Sequence, residues 1–460
     1  MSAAADTDPY LPGHGDSSYR VERYELDLDY RVATNRLAGR AVVTAVTDAP
    51  VSRLRLDLAG LRVTRVRVDG RRSSRFSHRG GALTVDLGGP VETGTRLLLD
   101  VQYDGTPRPL RSHWGEVGFE ELTDGVIVAG QPCGAPSWFP CNDRADDKAA
   151  YRISVTTESA YTVVANGTLT GLTRGSSRTT WVFDQPEPMA TYLATLQIGR
   201  YATVDLGRAP VPQRAAVPAR LRGAFDHDFA RQGQMLAVFE RLFGPYPFGS
   251  YSVVVTDDDL EIPLEAQGLS VFGANHVDGR RGSERLVAHE LAHQWFGNSV
   301  TARTWQHIWL HEGFACYAEW LWAEESGGGS AEAHARRAWT GLKASAQDLV
   351  IADPGPELMF DDRLYKRGAL TLHALRSTLG DEAFFLLLHE WTQSRRHGTA
   401  TTADLTDLAR RYSPDGATDA LLDAWLHQPR LPPLPSGRVT GVAALAARVV
   451  DAARHAPPGR

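Results

Sequence analysis

Cysteine is scarce in this chain, and the cysteines present are scattered. Cys133, Cys141 and Cys316 are too few for a disulfide framework among 460 residues, and their spacing does not suit a zinc site built on thiolates. A reducing compartment suits such a low cysteine content. We therefore expect a cytoplasmic protein.

An excess of positive charge and long apolar runs are also missing. With 49 basic and 55 acidic side chains, the chain has a net charge of -6, which argues against nucleic acid or an anionic membrane as a partner. Apolar stretches such as Tyr251–Val255 are far shorter than the roughly 20 residues that cross a bilayer. The start of the chain is acidic and has no apolar leader segment. The sequence thus predicts a protein without a membrane partner.

The first half of the chain shows the two-residue alternation of β-strands. Arg23–Tyr30 is typical, because its apolar and aromatic residues alternate with charged ones. Similar short runs, separated by turn residues, continue to about residue 205. We expect a flexible segment over residues 1–17 and an all-β sandwich or saddle domain over residues 18–205.

The second half is mostly helical in pattern. Ala209–Arg220 is rich in proline and alanine and is interpreted as a linker, and Phe225–Phe243 has the spacing of one amphipathic helix. Residues 206–429 are assigned to one mostly helical domain, and residues 430–460 to a tail that contains a helix candidate at Val442–Ala453. The fold class is therefore α+β with several domains.

A metal-binding motif lies in this helical half. His289 and His293 flank Glu290 in the pattern H-E-x-x-H, and residues four apart share one face of a helix, so both imidazoles can reach one ion. Ser283 is a suitable residue to begin the helix, and Gly297 is suitable to end it. Glu290 can then face the metal-polarised water as a general base without being a ligand.

Glu312 is the best candidate for the third ligand. It lies 19 residues after His293, in a predicted helix over residues 310–325 that can pack beside the first. Glu319, two turns further along the same face, is either an acceptor for a ligand imidazole or a solvated helix acid. His307 and His311 are weaker alternatives as ligands, since His311 points away from Glu312 on the same helix. Two imidazoles and one carboxylate form a usual donor set for catalytic zinc.

These motifs resemble the aminopeptidase N-type family of zinc metallopeptidases, which belongs to the gluzincin group together with thermolysin. The family's H-E-x-x-H motif, its eighteen-residue gap and its W-L-N-E-G-F-A motif are all matched, with His311 in place of asparagine. Three further stretches resemble family motifs: Gln131–Asp143 in the β domain, Phe243–Pro247 and Tyr365–Ala369.

The resemblance implies a thermolysin-like catalytic domain with one Zn²⁺ per chain. It implies that Tyr365 stabilises the oxyanion and that Glu265 and Gln131 bind the substrate's free amine. Two departures concern the amine site. Ile262–Ala266 stands where the family has G-A-M-E-N, and Cys133 replaces the second acidic or amide side chain.

The expected function is a zinc metalloaminopeptidase that hydrolyses the N-terminal peptide bond, using zinc-bound water with Glu290 as the general base. The expected partners are peptides with a free N-terminus. The chain is expected to be a monomer and a short form without the family's large C-terminal helical domain. Three alternatives stay open: a thermolysin-like endopeptidase, an epoxide-opening hydrolase, and a non-catalytic peptide-binding protein with a relict zinc site.

Overall fold

The computed structural model describes residues 8–72, 75–413 and 415–435. Within these residues, the chain forms two compact units, one of residues 8–224 with 248–277 and the other of residues 225–247 with 278–435. The boundary expected between residues 205 and 206 falls inside the first unit. The helix candidate at Val442–Ala453 and most of the expected tail lie outside the described residues.

The first unit is rich in β-strands, as the alternating pattern predicted. Its strands are β1 (Tyr19–Arg31), β2 (Arg36–Thr47), β3 (Val51–Asp57), β4 (Arg62–Val68), β5 (Arg71–Arg72), β6 (Phe76–Arg79), β7 (Ala82–Val91), β8 (Arg96–Gly105), β9 (Leu110–Ser112), β10 (Gly115–Leu122), β11 (Gly125–Ala129), β12 (Ala149–Glu158), β13 (Thr162–Ala165), β14 (Thr168–Arg174), β15 (Arg178–Met189), β16 (Leu196–Gly199), β17 (Tyr201–Gly207), β18 (Gln213–Pro218), β19 (Tyr251–Val255), β20 (Leu264–Ala266) and β21 (Leu269–Phe272).

These strands form four sheets. The largest has the order β14-β15-β12-β1-β2-β8-β4-β5, and the other three have the orders β13-β16-β11-β10-β9, β17-β18-β19-β21-β20 and β3-β7-β6. In β1 and β12, buried residues alternate with half-buried ones. This alternation explains why both strands could be recognised from the sequence.

The sheet that ends in β20 corrects one expectation. Ala209–Arg220 is not only a linker, because β18 pairs with β17 on one side and runs parallel to β19 on the other. Pro212 and Pro218 stand just before β18 and at its last position, where proline interferes least with a strand. Between them, Ala215–Val217 is buried. The proline content therefore concealed an interior strand.

The described part of the N-terminal segment, residues 8–17, also differs from expectation. Tyr10 and Leu11 are buried, and the backbone N–H of Gly15 donates to Asp57 Oδ2 at 2.8 Å. The Arg55 guanidinium donates to the carbonyl of Gly15 at 2.8 Å. These bonds hold the segment against the β domain, so residues 8–17 are not the free segment that we expected.

The second unit is helical. The helices, of which α1 begins just before this unit, are α1 (Arg222–Asp228), α2 (Gln232–Phe243), α3 (Glu284–Ala292), α4 (Trp309–Glu325), α5 (Ala331–Lys343), α6 (Asp362–Leu379), α7 (Asp381–Ser394), α8 (Thr402–Tyr412) and α9 (Ala417–Leu426). Two short strands, β22 (Thr301–Ala302) and β23 (Thr399–Ala400), pair in parallel. Among the described residues, no helix has both the length and the apolar content that a membrane crossing needs.

The single helix expected at Phe225–Phe243 is two helices. The chain leaves helical geometry after Asp228, whose carboxylate accepts hydrogen bonds from the backbone N–H groups of Asp278, Gly279 and Arg281 at 2.8 to 2.9 Å. The side chain at the break thus anchors the loop that leads to α3. Helical periodicity continues across the interruption, which is why the break could not be recognised from spacing.

Helix α4 lies at the centre of the second unit. Every residue from Trp309 to Trp322 is buried, as expected of a helix surrounded on all sides by other elements. A Cβ atom on Gly313 would lie 2.8 Å from the Cα of Gly368 in α6, so α4 and α6 touch backbone to backbone. This contact sets the distance between the first turns of the two helices, which carry Glu312 and Tyr365.

Candidate active site

Helices α3 and α4 bring His289, His293 and Glu312 together. The Nε2 atoms of His289 and His293 lie 3.3 Å and 3.5 Å from Glu312 Oε2, and all three residues are buried. One ligand atom from each lies within 4.8 Å of the other two. The spacing argument predicted this cluster, and α4 confirms the predicted second helix.

The remaining imidazole nitrogens are held by acceptors. His289 Nδ1 lies 2.8 Å from Glu319 Oε1, and His293 Nδ1 lies 3.0 Å from the carbonyl oxygen of Phe296. Because both acceptors lack a hydrogen, we assign the proton to Nδ1 in each ring. The lone pair of each Nε2 then points into the cluster, which is the arrangement that a divalent metal requires. The donor set therefore fits zinc.

The electrostatics of the cluster favour a positive charge. Burial alone would raise the pKa of Glu312, but His293 and His289 outweigh burial and hold that pKa well below its usual value. Burial likewise disfavours the charged form of His289, yet without a metal its hydrogen bonds with Glu312 and Glu319 raise its pKa to about 10, so Nε2 then carries a proton that a bound metal would displace. The carboxylates thus stabilise a cation at this point, and a bound metal would supply that charge.

The two competing histidines are engaged elsewhere. His311 Nε2 accepts a hydrogen bond from the backbone N–H of Ala302 at 2.7 Å, and His307 Nδ1 lies 3.0 Å from the hydroxyl of Thr402. Neither belongs to the cluster of ligand atoms around Glu312.

The turn after α3 depends on a glycine. The helix ends at Ala292, earlier than Gly297, and Ser283 occupies its N-cap position without a side-chain capping bond. Gly297 has a φ of 117°, and a Cβ atom there would lie 3.3 Å from His293 Nδ1. Glycine therefore allows the chain to turn sharply beside a ligand ring.

Glu290 and Tyr365 lie next to the ligands. Glu290 is buried beside His289 on α3, and one of its carboxylate oxygens lies within 4.8 Å of a ring nitrogen of His293. The Tyr365 ring stacks on the His289 ring with centroids 6.1 Å apart and planes at 16°. Asp361 fixes the start of α6, because its side chain accepts from the N–H of Arg363. The structure brings both predicted catalytic residues to the cluster.

Glu265 and Gln131 meet in the first unit. Glu265 lies on β20, at the edge of its sheet, and Gln131 Nε2 donates to Glu265 Oε1 at 2.6 Å. Cys133 lies two residues after Gln131 and is buried, and burial raises the pKa of its thiol to about 12. This thiol is neutral at physiological pH, so it supplies neither the negative charge nor the amide oxygen of the acidic or amide side chain that it replaces.

Sequence reasoning missed Arg285. Its guanidinium donates to Glu319 Oε1 at 2.9 Å, so the carboxylate that accepts from His289 is also neutralised from the other side. Burial would raise the pKa of Glu319, but its bonds to His289 and Arg285 lower it. Arg285 lies four residues before His289 and therefore on the same face of α3, and this spacing could have identified it from the sequence.

The cluster and its surroundings define a zinc metallopeptidase of the gluzincin type. Residues 228–425 match the Peptidase family M1 domain, and residues 20–193 match the Peptidase M1 N-terminal domain. The chain is 31% identical to the M1 zinc metallopeptidase of Deinococcus radiodurans, with a TM-score of 0.85, over 94% of this chain and 99% of that one. The chain belongs to peptidase family M1.

Two further relatives are more distant. The chain is 25% identical to leucine aminopeptidase 2 of Ajellomyces capsulatus, over 91% of this chain and 72% of that protein. It is 25% identical to leucyl aminopeptidase of Saccharolobus solfataricus, over 90% of this chain, and spans 54% of that protein. A mutant of the Deinococcus radiodurans enzyme has been solved bound to a Tyr-Ser-Ala substrate.

Proposed function

We propose that this M1 zinc peptidase removes residues one at a time from the amino end of peptides. The observation that carries the proposal is the buried His289, His293 and Glu312 cluster, with both Nδ1 atoms engaged and both Nε2 atoms directed to one point. These three residues would hold the zinc. When bound, zinc supplies Lewis-acid chemistry, which lowers the pKa of water and polarises a carbonyl group.

Glu290 moves the proton in this proposal. Its carboxylate takes a proton from the attacking water as the new carbon–oxygen bond forms, and it then delivers that proton to the leaving amine as the carbon–nitrogen bond breaks. Its place on α3 supports this role, because it follows the ligand His289 directly and lies close to His293 without joining the ligand set with Glu312.

Tyr365 stabilises the developing negative charge. Its hydroxyl donates a hydrogen bond to the carbonyl oxygen of the scissile bond, and a sole donor of this kind contributes about 3–4 kcal/mol to the transition state. The stacking of its ring on His289 supports the assignment, because it keeps the phenol beside the ligands.

Glu265 selects for a free amino terminus. The α-amino group of a peptide has a pKa of about 7.7–8.0, so it is mostly a cation at pH 7. Gln131 Nε2 donates to Glu265 Oε1 at 2.6 Å, and in this proposal the Glu265 carboxylate binds the ammonium group. Glu319 completes the set as the acceptor that positions His289.

We also propose that the peptidase acts as a monomer in the cytoplasm. The three cysteines are free and buried, which suits a reducing compartment. The net charge of -6 argues against nucleic acid as a partner.

An endopeptidase is the second candidate, because Ile262–Leu264 differs from the family motif and the Ile262 side chain is 63% exposed. One experiment separates the two functions. The wild type should cleave an aminoacyl anilide and leave both its N-acetylated form and an N-blocked, internally quenched peptide intact. Comparable cleavage of the blocked substrates would establish the endopeptidase instead.

Glu265→Ala provides the matched test within the chain. Loss of one member of a desolvated charge pair lowers kcat/KM by roughly 30-fold to several thousand-fold, and the neutral thiol of Cys133 places the expected loss in the lower half of that range. The control is Glu261→Ala, which removes an exposed acid four residues earlier. An equal loss in both variants would contradict the role of Glu265.

A further inference from the structure

A cavity of about 830 Å³ lies beside the metal ligands in the second unit. Its walls come from α3, α4, α5 and the first turns of α6. Glu319, which accepts from His289 Nδ1, is one wall residue, and Lys366 directly follows Tyr365. Only one side chain therefore separates the cavity from a ligand imidazole.

The cavity is positively charged although the chain is not. Three acidic side chains line it: Glu284, Glu319 and Asp362. Six basic side chains line it: Arg231, Arg281, Arg285, Arg337, Arg363 and Lys366. With histidine neutral, six cations against three anions leave a formal charge of +3 in a protein whose net charge is -6. An excess of this kind attracts anionic ligands.

Two of these cations are available to a ligand. Arg281 donates from Nε to the carbonyl oxygen of His227 at 3.2 Å, and no ion pair with a carboxylate is found for Arg281 or Arg337 among the described residues. Their positive charge is therefore not cancelled within the wall. The four other cations are paired: Arg231 with Glu284, Arg285 with Glu319, Arg363 with Asp361, and Lys366 with Asp362.

We propose that this cavity binds the free α-carboxylate of a short peptide substrate. The proposal rests on the proposed aminopeptidase function and specifies its substrate class. When the first peptide bond lies at the metal ligands, an extended chain advances about 3.3–3.6 Å per residue beyond it. The carboxylate of a tripeptide or tetrapeptide thus falls close enough to enter a cavity one side chain away. Guanidinium groups hold carboxylates through paired hydrogen bonds.

A charge-deleted substrate tests this inference. We would measure kcat/KM for one tripeptide as the free acid and as its C-terminal amide, and expect the wild type to favour the acid by about 5- to 20-fold. The preference should shrink as salt is added, because screening weakens a solvent-accessible charge interaction. In calorimetry, the product dipeptide should bind more tightly as the acid than as the amide.

A pair of double variants locates the effect. In Arg281→Gln with Arg337→Gln, the acid-to-amide ratio should fall to about one. In the control, Arg280→Gln with Arg336→Gln, the ratio should stay at its wild-type value, since these neighbours do not line the cavity. Each ratio is internal to one protein, so a partly folded variant does not distort it.

The outcomes are separable. A wild-type ratio near one, an unchanged ratio in the cavity variant, or an equal fall in the control would each overturn the inference while cleavage of the amide leaves the proposed function standing. If the wild type cleaves neither tripeptide form nor an aminoacyl anilide, the proposed function fails and this inference fails with it.

Discussion

Buried carboxylates occur in both units, and their pKa values shift in opposite directions. In the first unit, burial and the neighbouring charge of Asp143 raise the pKa of Asp57 to about 6, and burial raises that of Asp147 to about 7. In the second unit, the pKa values of Glu312 and Glu319 are lowered although both residues are equally buried.

The difference lies in the partners. Asp147 accepts hydrogen bonds from the backbone N–H of Val21 and from the Asn142 amide, which are neutral groups that stabilise a fold. Glu312 and Glu319 face imidazoles, and Glu319 also faces an arginine. Burial pushes a carboxyl toward its neutral form, and the imidazoles outweigh burial at Glu312 and Glu319. At Asp57, the Arg55 guanidinium 2.7 Å away does not outweigh burial and the charge of Asp143. The carboxylates around the metal ligands are therefore arranged to hold a charge, whereas Asp57 and Asp147 bind neutral backbone and amide groups that fix the chain.

The largest effect is expected when one charge is removed from the cluster of His289, His293 and Glu312. Glu312→Ala should lose most of the zinc, about one ion per wild-type chain, together with the activity, because two imidazoles leave the metal's charge uncompensated. Metal analysis of the purified protein measures this. Asp147→Asn, which changes a buried carboxylate of the first unit, is the control and should keep its zinc. Full zinc content in Glu312→Ala would assign the third ligand elsewhere, to Glu319 first.

The next test separates holding a charge from moving a proton. Glu290→Gln should retain zinc and lower kcat by at least about 100-fold, because the amide keeps the size of the side chain but cannot accept the proton. Tyr365→Phe should also retain zinc and lower kcat by about 10²–10³. Steady-state kinetics with parallel metal analysis check both. A near wild-type rate in either variant would refute the role of that residue.

A smaller effect is expected one contact away from the metal. Glu319→Gln should weaken zinc binding by about 10- to 100-fold, since His289 loses the charged acceptor that orients it. Competition with a chelator measures this affinity. Glu332→Gln is a matched control, because Glu332 also lies 2.8 Å from a histidine, His373, outside the metal cluster. Equal weakening in both variants would argue against a specific role of Glu319.

The smallest effect concerns Asp147 in the first unit, which makes the free energy of unfolding depend on pH. The pKa of Asp147 is raised in the folded state, so between about pH 4 and pH 7 the folded protein binds more protons than the unfolded chain, and its stability falls as pH rises. Relative to Asp147→Asn, the wild type should lose about 2 kcal/mol of unfolding free energy between pH 5 and pH 8. Urea unfolding at both values measures this. A wild type that gains stability relative to the variant between these two pH values would contradict the prediction.

The metal cluster was predictable because its signals are local. His289 and His293 are four residues apart, and Glu319 follows Glu312 by seven, so helical geometry alone places each pair on one face. The step from His293 to Glu312 crosses a loop. For that step, the prediction depended on the resemblance to a family as well as on spacing.

The features that escaped prediction depend on contacts between distant parts of the chain. The N-terminal segment packs through a bond from Gly15 to Asp57, and β18 is held by strands on both sides despite its flanking prolines. The break after Asp228 is coupled to a loop 50 residues later. Periodicity describes which face of an element is buried, and it does not identify the partner that buries it.

The backbone contact between Gly313 and Gly368 has a consequence for how the enzyme can diverge. A side chain at either position would meet the backbone of the other helix, so a substitution at one glycine cannot be offset by a substitution at the other. We therefore expect almost no substitution at either glycine to be tolerated, although alanine is ordinarily the better helix residue. For the same reason, we expect the spacing between Glu312 and Tyr365 to persist when the sequence around this contact changes.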